Sequence, residues 1–256
     1  MDLGLKNQVI LITGSSRGIG QAIALEFARE EANVVITGRT QQDVDNTVNQ
    51  ISEFGAKVLG FVGDMTSGKD IKECIGKVID KWNTIDILVA NLGSGKGQRG
   101  WDVGMTEWDR LIDVNLNSAI KISQLVIPYL SKSKNGNIIF IGSIAGIETL
   151  GAPIAYEAAK SALITYSKNL ANEVAKDLIR VNTVAPGNIM FPGSTWDDKM
   201  KSNESIVQSF IKKEVPLMRL GTTQEVANAV LFLSSRKAAF ITGACLVVDG
   251  GQTRTF

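Results

Sequence analysis

Seven short apolar runs recur along the chain, and their continuity is the feature that most constrains the fold. The runs are QVILIT (8–13), NVVIT (33–37), KVLGFV (57–62), DILVA (86–90), NIIFIG (137–142), IRVNTV (179–184) and CLVV (245–248). A strand covered on one face alternates apolar and polar residues, whereas a continuously apolar strand is covered on both faces. Amphipathic segments such as GQAIALEFAREE and DIKECIGKVIDKW separate the runs. This alternation predicts an α/β fold with a doubly wound parallel sheet of about seven strands and helices on both faces.

The domain organisation follows from the same rhythm. The sequence contains no linker, low-complexity tract or internal repeat, so we expect residues 1–256 to form a single domain. The rhythm breaks at residues 185–222, which are rich in Pro, Gly, Ser and Lys. Such a stretch is typical of a loop combined with a short helix. We interpret residues from about 186 to 222 as a substrate loop or lid.

Charge and cysteine content argue against several classes of protein. The net charge is only +1, which gives no general field for binding nucleic acid or an anionic membrane. No apolar run is long enough to span a bilayer, and the N-terminal MDLGLKNQ lacks an apolar signal core. Cys74 and Cys245 are too few for a disulfide framework, and without histidine a zinc site is not expected. We therefore expect a soluble, cytoplasmic protein with no metal site and no nucleic-acid or membrane partner.

A glycine-rich turn follows the first apolar run. In TGSSRGIGQAIA (13–24) three glycines are spaced G-x-x-x-G-x-G and open an amphipathic helix. Glycines permit a tight turn and let the backbone approach a pyrophosphate at the start of a helix. A plain strand-to-helix turn is the alternative, because glycine is common in such turns. The residues of this turn that we predict to bind a nucleotide are Gly14, Ser16, Arg17, Gly18, Ile19 and Gly20.

The residues after the second run bear on the choice of dinucleotide. NAD sites place Asp or Glu there to accept hydrogen bonds from the adenosine ribose. This chain has Gly38 and Arg39 instead, and Arg17 in the glycine turn lies close by in the expected fold. Two guanidinium groups suit a 2′-phosphate, although two solvated surface arginines are the alternative. We therefore predict NADP(H) rather than NAD(H).

The segment YEAAK (156–160) supplies a candidate for proton transfer in a chain without histidine. Tyr156 and Lys160 are spaced i, i+4 and so share one helix face. On its own the motif is weak, because a surface helix with a solvated lysine gives the same pattern. A free tyrosine titrates near pH 10. We expect a neighbouring ammonium to lower the Tyr156 pKa well below that value.

Six motifs, TGSSRGIG, VANLG, DVNL, IGSIAG, YEAAK and VAPG, stand in the order found in the classical short-chain dehydrogenase/reductase family, which the whole chain resembles. The resemblance implies a Rossmann-type domain that oxidises alcohols or reduces carbonyls with a nicotinamide cofactor. It also implies a homotetramer, with a dimer as the alternative. The catalytic residues that it implies are Asn115, Ser143, Tyr156 and Lys160. The implied cofactor-binding residues, beyond the glycine turn and Arg39, are Asp64, Asn91, Gly93, Tyr156, Lys160, Pro186, Gly187 and Ile189.

The resemblance also assigns roles to these residues. Ser143 would orient and polarise a carbonyl, and Tyr156 would donate the proton to it. Lys160 would tune Tyr156 and bind the nicotinamide ribose, while Asn115 would hold a water relay. Two positions depart from the family pattern. Leu92 replaces an alanine, and Phe191 stands where many relatives have a threonine that bonds the cofactor carboxamide.

Two alternatives to a reductase of small carbonyl compounds remain open. One is reduction of 3-oxoacyl groups on acyl carrier protein, but Pro128 and Asp177 occupy places where such relatives have arginines. The other is a non-catalytic dinucleotide sensor, which would be expected to lose Tyr156 or Lys160. The helices around 105–132 and 153–176 carry apolar residues on more than one face. This pattern agrees with subunit contacts in a homotetramer.

Overall fold

The structure, a computed structural model, describes residues 2–255 and contains a seven-stranded parallel sheet. In chain order the strands are β1 (Val9–Ile12), β2 (Asn33–Gly38), β3 (Val58–Val62), β4 (Ile87–Ala90), β5 (Asn137–Ile141), β6 (Arg180–Pro186), β7 (Ile189–Met190), β8 (Gly221–Thr222) and β9 (Cys245–Val248). Seven of these strands form this sheet and the other two, β7 and β8, form a separate pair. The order of the large sheet is β3-β2-β1-β4-β5-β6-β9, and every pairing in it is parallel. Strand order reverses between β1 and β4, which is where doubly wound sheets bind ligands.

Nine α-helices lie in the described part of the chain, and they cover both faces of the sheet. They are α1 (Gly18–Arg29), α2 (Gln41–Ser52), α3 (Gly68–Trp82), α4 (Met105–Ile112), α5 (Ser118–Leu130), α6 (Ile154–Val174), α7 (Thr195–Ser202), α8 (Glu204–Glu214) and α9 (Thr223–Ser234). Helices α1, α2 and α9 pack on one face, and α3, α5 and α6 pack on the other. The predicted fold class is confirmed.

The central strands show why their sequences are continuously apolar. In β1, Ile10 and Ile12 belong to the core beneath α1 and α9, whereas Val9 and Leu11 belong to the core beneath α3 and α5. Successive side chains of a strand point to opposite faces, so a strand with two covered faces needs apolar residues throughout. All four of these residues are at most 2% exposed.

The edge strands depart from that expectation. In β9, Cys245, Leu246 and Val247 are exposed although the run is continuously apolar. In β3, only Phe61 is buried. Each of these strands has a neighbour on one side only, so the helices that cover the centre of the sheet leave part of it bare. The prediction that these two runs are covered on both faces is therefore wrong for the single chain.

The segment from 186 to 222 forms a separate small layer above the carboxyl ends of the strands. Strand β7 pairs in parallel with β8, and helices α7 and α8 lie between these two strands along the chain. Side-chain caps start both helices: Ser194 accepts from the Asp197 backbone N–H, and Asn203 accepts from that of Ile206. The role of this segment as a lid stays a prediction. No helix within residues 2–255 is long and apolar enough to cross a bilayer.

Candidate active site

The predicted site residues come together in one cleft of about 740 Å³ at the carboxyl ends of the strands. Each strand from β1 to β6 delivers part of the lining through the loop that follows it. The residues that we predicted and that line the cleft are Gly14, Ser16, Arg17, Gly18, Ile19, Gly20, Arg39, Asp64, Asn91, Gly93, Ser143, Tyr156, Lys160, Pro186, Gly187 and Ile189. Asn115 is the exception, because it lies fully buried behind the cleft wall.

The glycine turn is built as a cradle for an anionic group. Gly14 and Gly18 have φ angles of +61° and +60°, which favour glycine. At Gly20 a Cβ atom would lie 2.5 Å from the Gly14 carbonyl oxygen, so only glycine fits there without a shift. Helix α1 begins at Gly18 with no side-chain cap on its first N–H groups. These free N–H groups and the helix dipole suit a pyrophosphate, so the turn fits a dinucleotide.

Asn91 holds this turn from beneath. Its side-chain amide donates to the carbonyl oxygens of Thr13 and Gly14, at 2.9 and 3.0 Å. The Thr13 hydroxyl oxygen accepts in return from the backbone N–H groups of Asn91 and Leu92, both at 2.9 Å. We predicted Asn91 as a cofactor-binding residue, and the structure shows what its amide group does within the chain. It joins the end of β4 to the end of β1 and thereby fixes the glycine turn.

The end of the cleft next to β2 has two cations and no carboxylate directly after that strand. Arg17 and Arg39 are exposed and line the cleft. At Gly38 a Cβ atom would lie 2.5 Å from the Ser16 Oγ, so the position leaves no room for a larger side chain unless Ser16 moves. Asp64 follows β3, and its Oδ1 accepts from the backbone N–H and the hydroxyl of Thr66, both at 2.9 Å.

Ser143, Tyr156 and Lys160 form the opposite end of the cleft. The Lys160 side chain is 3% exposed, and its Nζ donates to the Ile141 carbonyl oxygen at 2.7 Å. The Tyr156 ring centroid is 6.0 Å from this Nζ. Ser143 is 9% exposed and, like Tyr156, lines the cleft; its hydroxyl oxygen accepts from the Ala145 backbone N–H at 3.2 Å. Gly146 lets α6 approach closely, because a Cβ there would lie 2.6 Å from the Lys160 carbonyl carbon.

The pKa values of these groups differ from the expectation drawn from the sequence. Burial raises the pKa of Tyr156 above its usual value of 10.0, and the nearby Ser143 hydroxyl opposes this effect. Burial also lowers the pKa of Lys160 from 10.5 to about 8. The predicted lowering of the Tyr156 pKa is therefore wrong for the cofactor-free chain. The lysine donates to a backbone carbonyl rather than to the phenol, and burial of the phenol is the largest effect on the Tyr156 pKa.

Asn115 lies in a π-helical turn, Asp113–Asn117, between α4 and α5. Its Oδ1 accepts from the Ser94 backbone N–H at 2.9 Å, and its Nδ2 donates to the carbonyl oxygens of Ser94 and Leu111, both at 3.0 Å. The amide therefore anchors the loop after β4. A Cβ at Gly93 would lie 2.9 Å from Asn115 Oδ1 and 3.2 Å from Lys160 Nζ, which shows how closely the three residues pack. Its role in a water relay stays a prediction.

The mouth of the cleft is formed by the loop 93–101 and the segment around α7. Gly95 lies against the Tyr156 ring, since a Cβ there would be 3.6 Å from the ring carbon Cζ. Lys96 joins the two segments through an ion pair with Asp198 at 2.6 Å. Trp196 lines the cleft and packs on Phe210, with ring centroids 4.9 Å apart. The loop 93–101 thus helps to shape the mouth.

Other features of the mouth correct or extend the sequence analysis. Trp101 is 89% exposed and does not line the cleft, so it offers no aromatic surface to a molecule bound there. Phe191 packs on the glycine turn, because a Cβ at Gly18 would lie 2.7 Å from its Cε2. Sequence reasoning missed Arg99 and Lys199, which also line the cleft. No short motif contains both, because 100 residues separate them. The available signal was that Lys199 closely follows the aromatic segment MFPGSTW (190–196).

Comparisons with known proteins place this geometry among nicotinamide-dependent enzymes. The family model described as enoyl-(acyl carrier protein) reductase matches residues 14–253. The 3-oxoacyl-(acyl-carrier-protein) reductase FabG of Thermotoga maritima is 36% identical over 247 residues, which cover 96% of this chain and 98% of that protein. L-sorbose reductase from Gluconobacter frateurii, solved with NADPH and L-sorbose, matches with a TM-score of 0.95 at 32% identity and covers 100% of both chains. A 7α-hydroxysteroid dehydrogenase, solved with NADH and 7-oxo glycochenodeoxycholic acid, matches with a TM-score of 0.90 at 31% identity over 98% and 96% of the chains. These relatives differ in substrate and cofactor, so similarity to them gives the reaction class without the substrate.

Proposed function

Because the chain belongs to the short-chain dehydrogenase/reductase family, whose members here act on CH–OH and C=O groups, we propose that it interconverts a carbonyl compound and a secondary alcohol with NADP(H). The observation that carries this proposal is the convergence of Ser143, Tyr156 and Lys160 at one end of a cleft. The other end of the same cleft is an uncapped glycine turn flanked by Arg17 and Arg39.

The side chains at the catalytic end supply a proton and a binding site for an oxygen atom. Ser143 and Tyr156 line the same cleft, and we assign to their two hydroxyl groups the binding of one carbonyl oxygen by donated hydrogen bonds. When bound, the nicotinamide supplies hydride to the carbonyl carbon. Tyr156 then gives its phenolic proton to the oxygen, and the reverse reaction returns this proton to the phenolate. Reduction needs a proton donor and oxidation needs a proton acceptor, and the phenol of Tyr156 serves as the one and its phenolate as the other.

Lys160 supports Tyr156 from within the protein. With a pKa of about 8, the amine keeps its proton at neutral pH even though it is almost fully buried. A buried ammonium favours the phenolate form of a neighbouring tyrosine. The family resemblance further assigns the binding of the nicotinamide ribose to this ammonium, and that assignment is part of the proposal.

The preference for NADP(H) rests on the adenosine end of the cleft. Arg17 and Arg39 offer two guanidinium groups for a 2′-phosphate, and charge-assisted pairs of this kind are strong. A carboxylate that would bind the ribose hydroxyls of NAD(H) is missing after β2, and Gly38 has Ser16 in the space that such a side chain would need. The relative from Gluconobacter frateurii was solved with NADPH, and the hydroxysteroid dehydrogenase was solved with NADH.

The test is an NADPH-oxidation screen against 3-oxoacyl thioesters, keto sugars, steroids and quinones, run with the parent and with Tyr156→Phe. The variant loses only a hydroxyl, so we expect NADPH binding to survive while turnover falls by roughly 10²–10⁴-fold. Tyr129→Phe is the matched control, because Tyr129 lies on α5 and does not line the cleft. Near-parental turnover by Tyr156→Phe would refute the role of this tyrosine. NADPH binding without turnover of any carbonyl compound would instead favour a dinucleotide sensor.

A second candidate function is the reduction of 3-oxoacyl groups on acyl carrier protein. The name and identity of the Thermotoga maritima relative favour it. Against it, Pro128 lies within α5 and Asp177 ends a short helical turn before β6, where the family resemblance calls for arginines. A carboxylate repels an acidic carrier protein. This candidate requires kcat/KM for acetoacetyl carrier protein to exceed that for acetoacetyl coenzyme A, and the reverse order would exclude it.

A further inference from the structure

The cleft carries far more positive charge than the chain as a whole. The chain has a net charge of +1. The basic residues that line the cleft are Arg17, Arg39, Lys96, Arg99, Arg110, Lys160 and Lys199, whereas the acidic ones are Asp64 and Asp113. Seven cations and two carboxylates among the lining residues concentrate positive potential in the cleft.

Five of these cations already have a partner or a proposed role. Arg17 and Arg39 flank the glycine turn, and Lys160 belongs to the catalytic end. Lys96 pairs with Asp198 at 2.6 Å. Arg110 pairs with Glu107 at 2.6 Å. Arg99 and Lys199 remain, and no carboxylate oxygen of residues 2–255 lies within 4 Å of either charge.

Lys199 is held against an aromatic ring and has a second cation near it. It is half-buried on α7, and its Nζ lies 4.2 Å from the centroid of the Trp196 ring. The indole is itself held by Phe210. Burial, together with the positive charge of nearby Arg99, lowers the pKa of Lys199. Lys199 is half-buried and Arg99 is exposed, and both line the cleft; like charges in one cleft repel each other, and an anion bound between them reduces that repulsion.

We infer that Arg99 and Lys199, which line the mouth of the cleft beside Trp196, form a subsite for an anionic group of the substrate, a carboxylate or a phosphate. The inference rests on the proposed function, because it assigns the far end of a carbonyl substrate whose reacting end lies at Tyr156. Arg99 comes from the loop after β4 and Lys199 from α7, so both segments of the mouth grip the substrate. The substrate class is therefore an oxo acid or a phosphorylated ketone rather than a neutral ketone.

The test uses matched pairs of probes that differ in charge: 4-oxopentanoate and its methyl ester, benzoylformate and its methyl ester, and dihydroxyacetone phosphate and dihydroxyacetone. We expect the parent to prefer the anionic member of at least one pair by about ten- to a hundredfold in kcat/KM with NADPH. Comparison of the carboxylate pairs with the phosphate pair distinguishes the two anions. The preference should fall as salt is added, because exposed charges are screened.

The variants Arg99→Gln and Lys199→Gln should each lower that preference about tenfold and leave the neutral member and the NADPH Kd unchanged. Lys201→Gln is the matched control, since Lys201 lies on the same helix, pairs with Asp197 and does not line the cleft. Equal kcat/KM for both members of every pair in the parent would overturn the subsite and leave the proposed function standing. An equal loss for both members in the two variants would also overturn it.

A readout that does not depend on turnover separates the two proposals. Calorimetry measures binding of the same six probes to the NADPH complex of Tyr156→Phe, with and without Arg99→Gln. Binding of an anionic probe that Arg99→Gln weakens about tenfold would support the subsite even if the parent reduced none of the six compounds. In that case the proposed function would fail for these probes and the subsite would stand. If no anionic probe bound more tightly than its neutral partner, the subsite would be overturned.

Discussion

The buried charge of Lys160 makes a measurable prediction about stability. Replacing Lys160 with methionine removes a cation that is 3% exposed and has a pKa lowered to about 8 by burial. We expect Lys160→Met to abolish turnover. Loss of the hydrogen bond to the Ile141 carbonyl oxygen should lower the free energy of unfolding, measured without cofactor at pH 7, but removal of the buried charge should offset this loss. The variant therefore tests whether the buried charge of Lys160, which turnover requires, lowers the free energy of unfolding of the protein.

The size and pH dependence of the effect follow from the two pKa values. The unfolded chain has the ordinary value of 10.5, and the folded chain has about 8. Below pH 8 the amine is protonated in both states, and the cost of burying the charge is fully present, about 3 kcal/mol. As the pH rises from 8 to 10.5, the folded chain loses its proton first and the unfolded chain binds more protons, so the stability of the parent increases. Between pH 7 and pH 9.5 the recovery amounts to about 2 kcal/mol.

The assay is urea unfolding of the parent and of Lys160→Met, without cofactor, at pH 7 and pH 9.5. All other titrating groups are common to both proteins, so the difference between their free energies of unfolding isolates Lys160. The stability of the variant relative to the parent should fall by about 2 kcal/mol between the two pH values. Lys168→Met is the matched control, because Lys168 is exposed on the same helix α6. A difference that stays the same at both pH values would show that Lys160 is not a buried cation with a lowered pKa.

Three further predictions concern the cofactor, the cleft wall and the assembly. Arg39→Asp should raise the Kd for NADPH by about ten- to a hundredfold and shift preference toward NADH; equal binding of both cofactors by the parent would contradict this. Asn115→Ala should lower the free energy of unfolding by about 1–3 kcal/mol, because the Ser94 backbone N–H and two buried carbonyl oxygens lose their partner. An unchanged urea midpoint would count against it. Light scattering should give the mass of four chains, and Leu246→Asp on the exposed edge strand β9 should reduce it, whereas a one-chain mass for the parent would refute the tetramer.

The fold was readable from sequence because its information is local. Strands β1 and β4 are apolar on every residue and β5 is apolar after Asn137, and only strands with two covered faces require that pattern. The spacing of Tyr156 and Lys160 was equally legible, since one helical turn separates them. Order along the chain then placed Ser143 and the glycine turn at the same edge of a parallel sheet. For the edge strand β9 the pattern misled, because a continuously apolar sequence predicts two covered faces, whereas Cys245, Leu246 and Val247 are exposed in the single chain.

What the sequence did not reveal depends on contacts between distant segments. The π-helical turn at Asn115 has no composition signature, and its partner Ser94 is 21 residues away. The raised pKa of Tyr156 arises from burial, which a spacing rule cannot supply. Arg99 and Lys199 line one cleft only because the loop beyond β4 and helix α7 fold over it together. Each of these features becomes visible when three-dimensional distances replace sequence separations.

The ion pair between Lys96 and Asp198 has a consequence for engineering. It ties together two segments that shape the mouth of the cleft, while the groups proposed for proton transfer lie on β5, its following turn and α6. A chimera that imports the 93–101 loop of a relative would leave Asp198 facing a foreign residue, and one that imports α7 would do the same to Lys96. The two segments therefore form one exchangeable unit. A library for new specificity should transplant or randomise them together and leave the strand ends untouched.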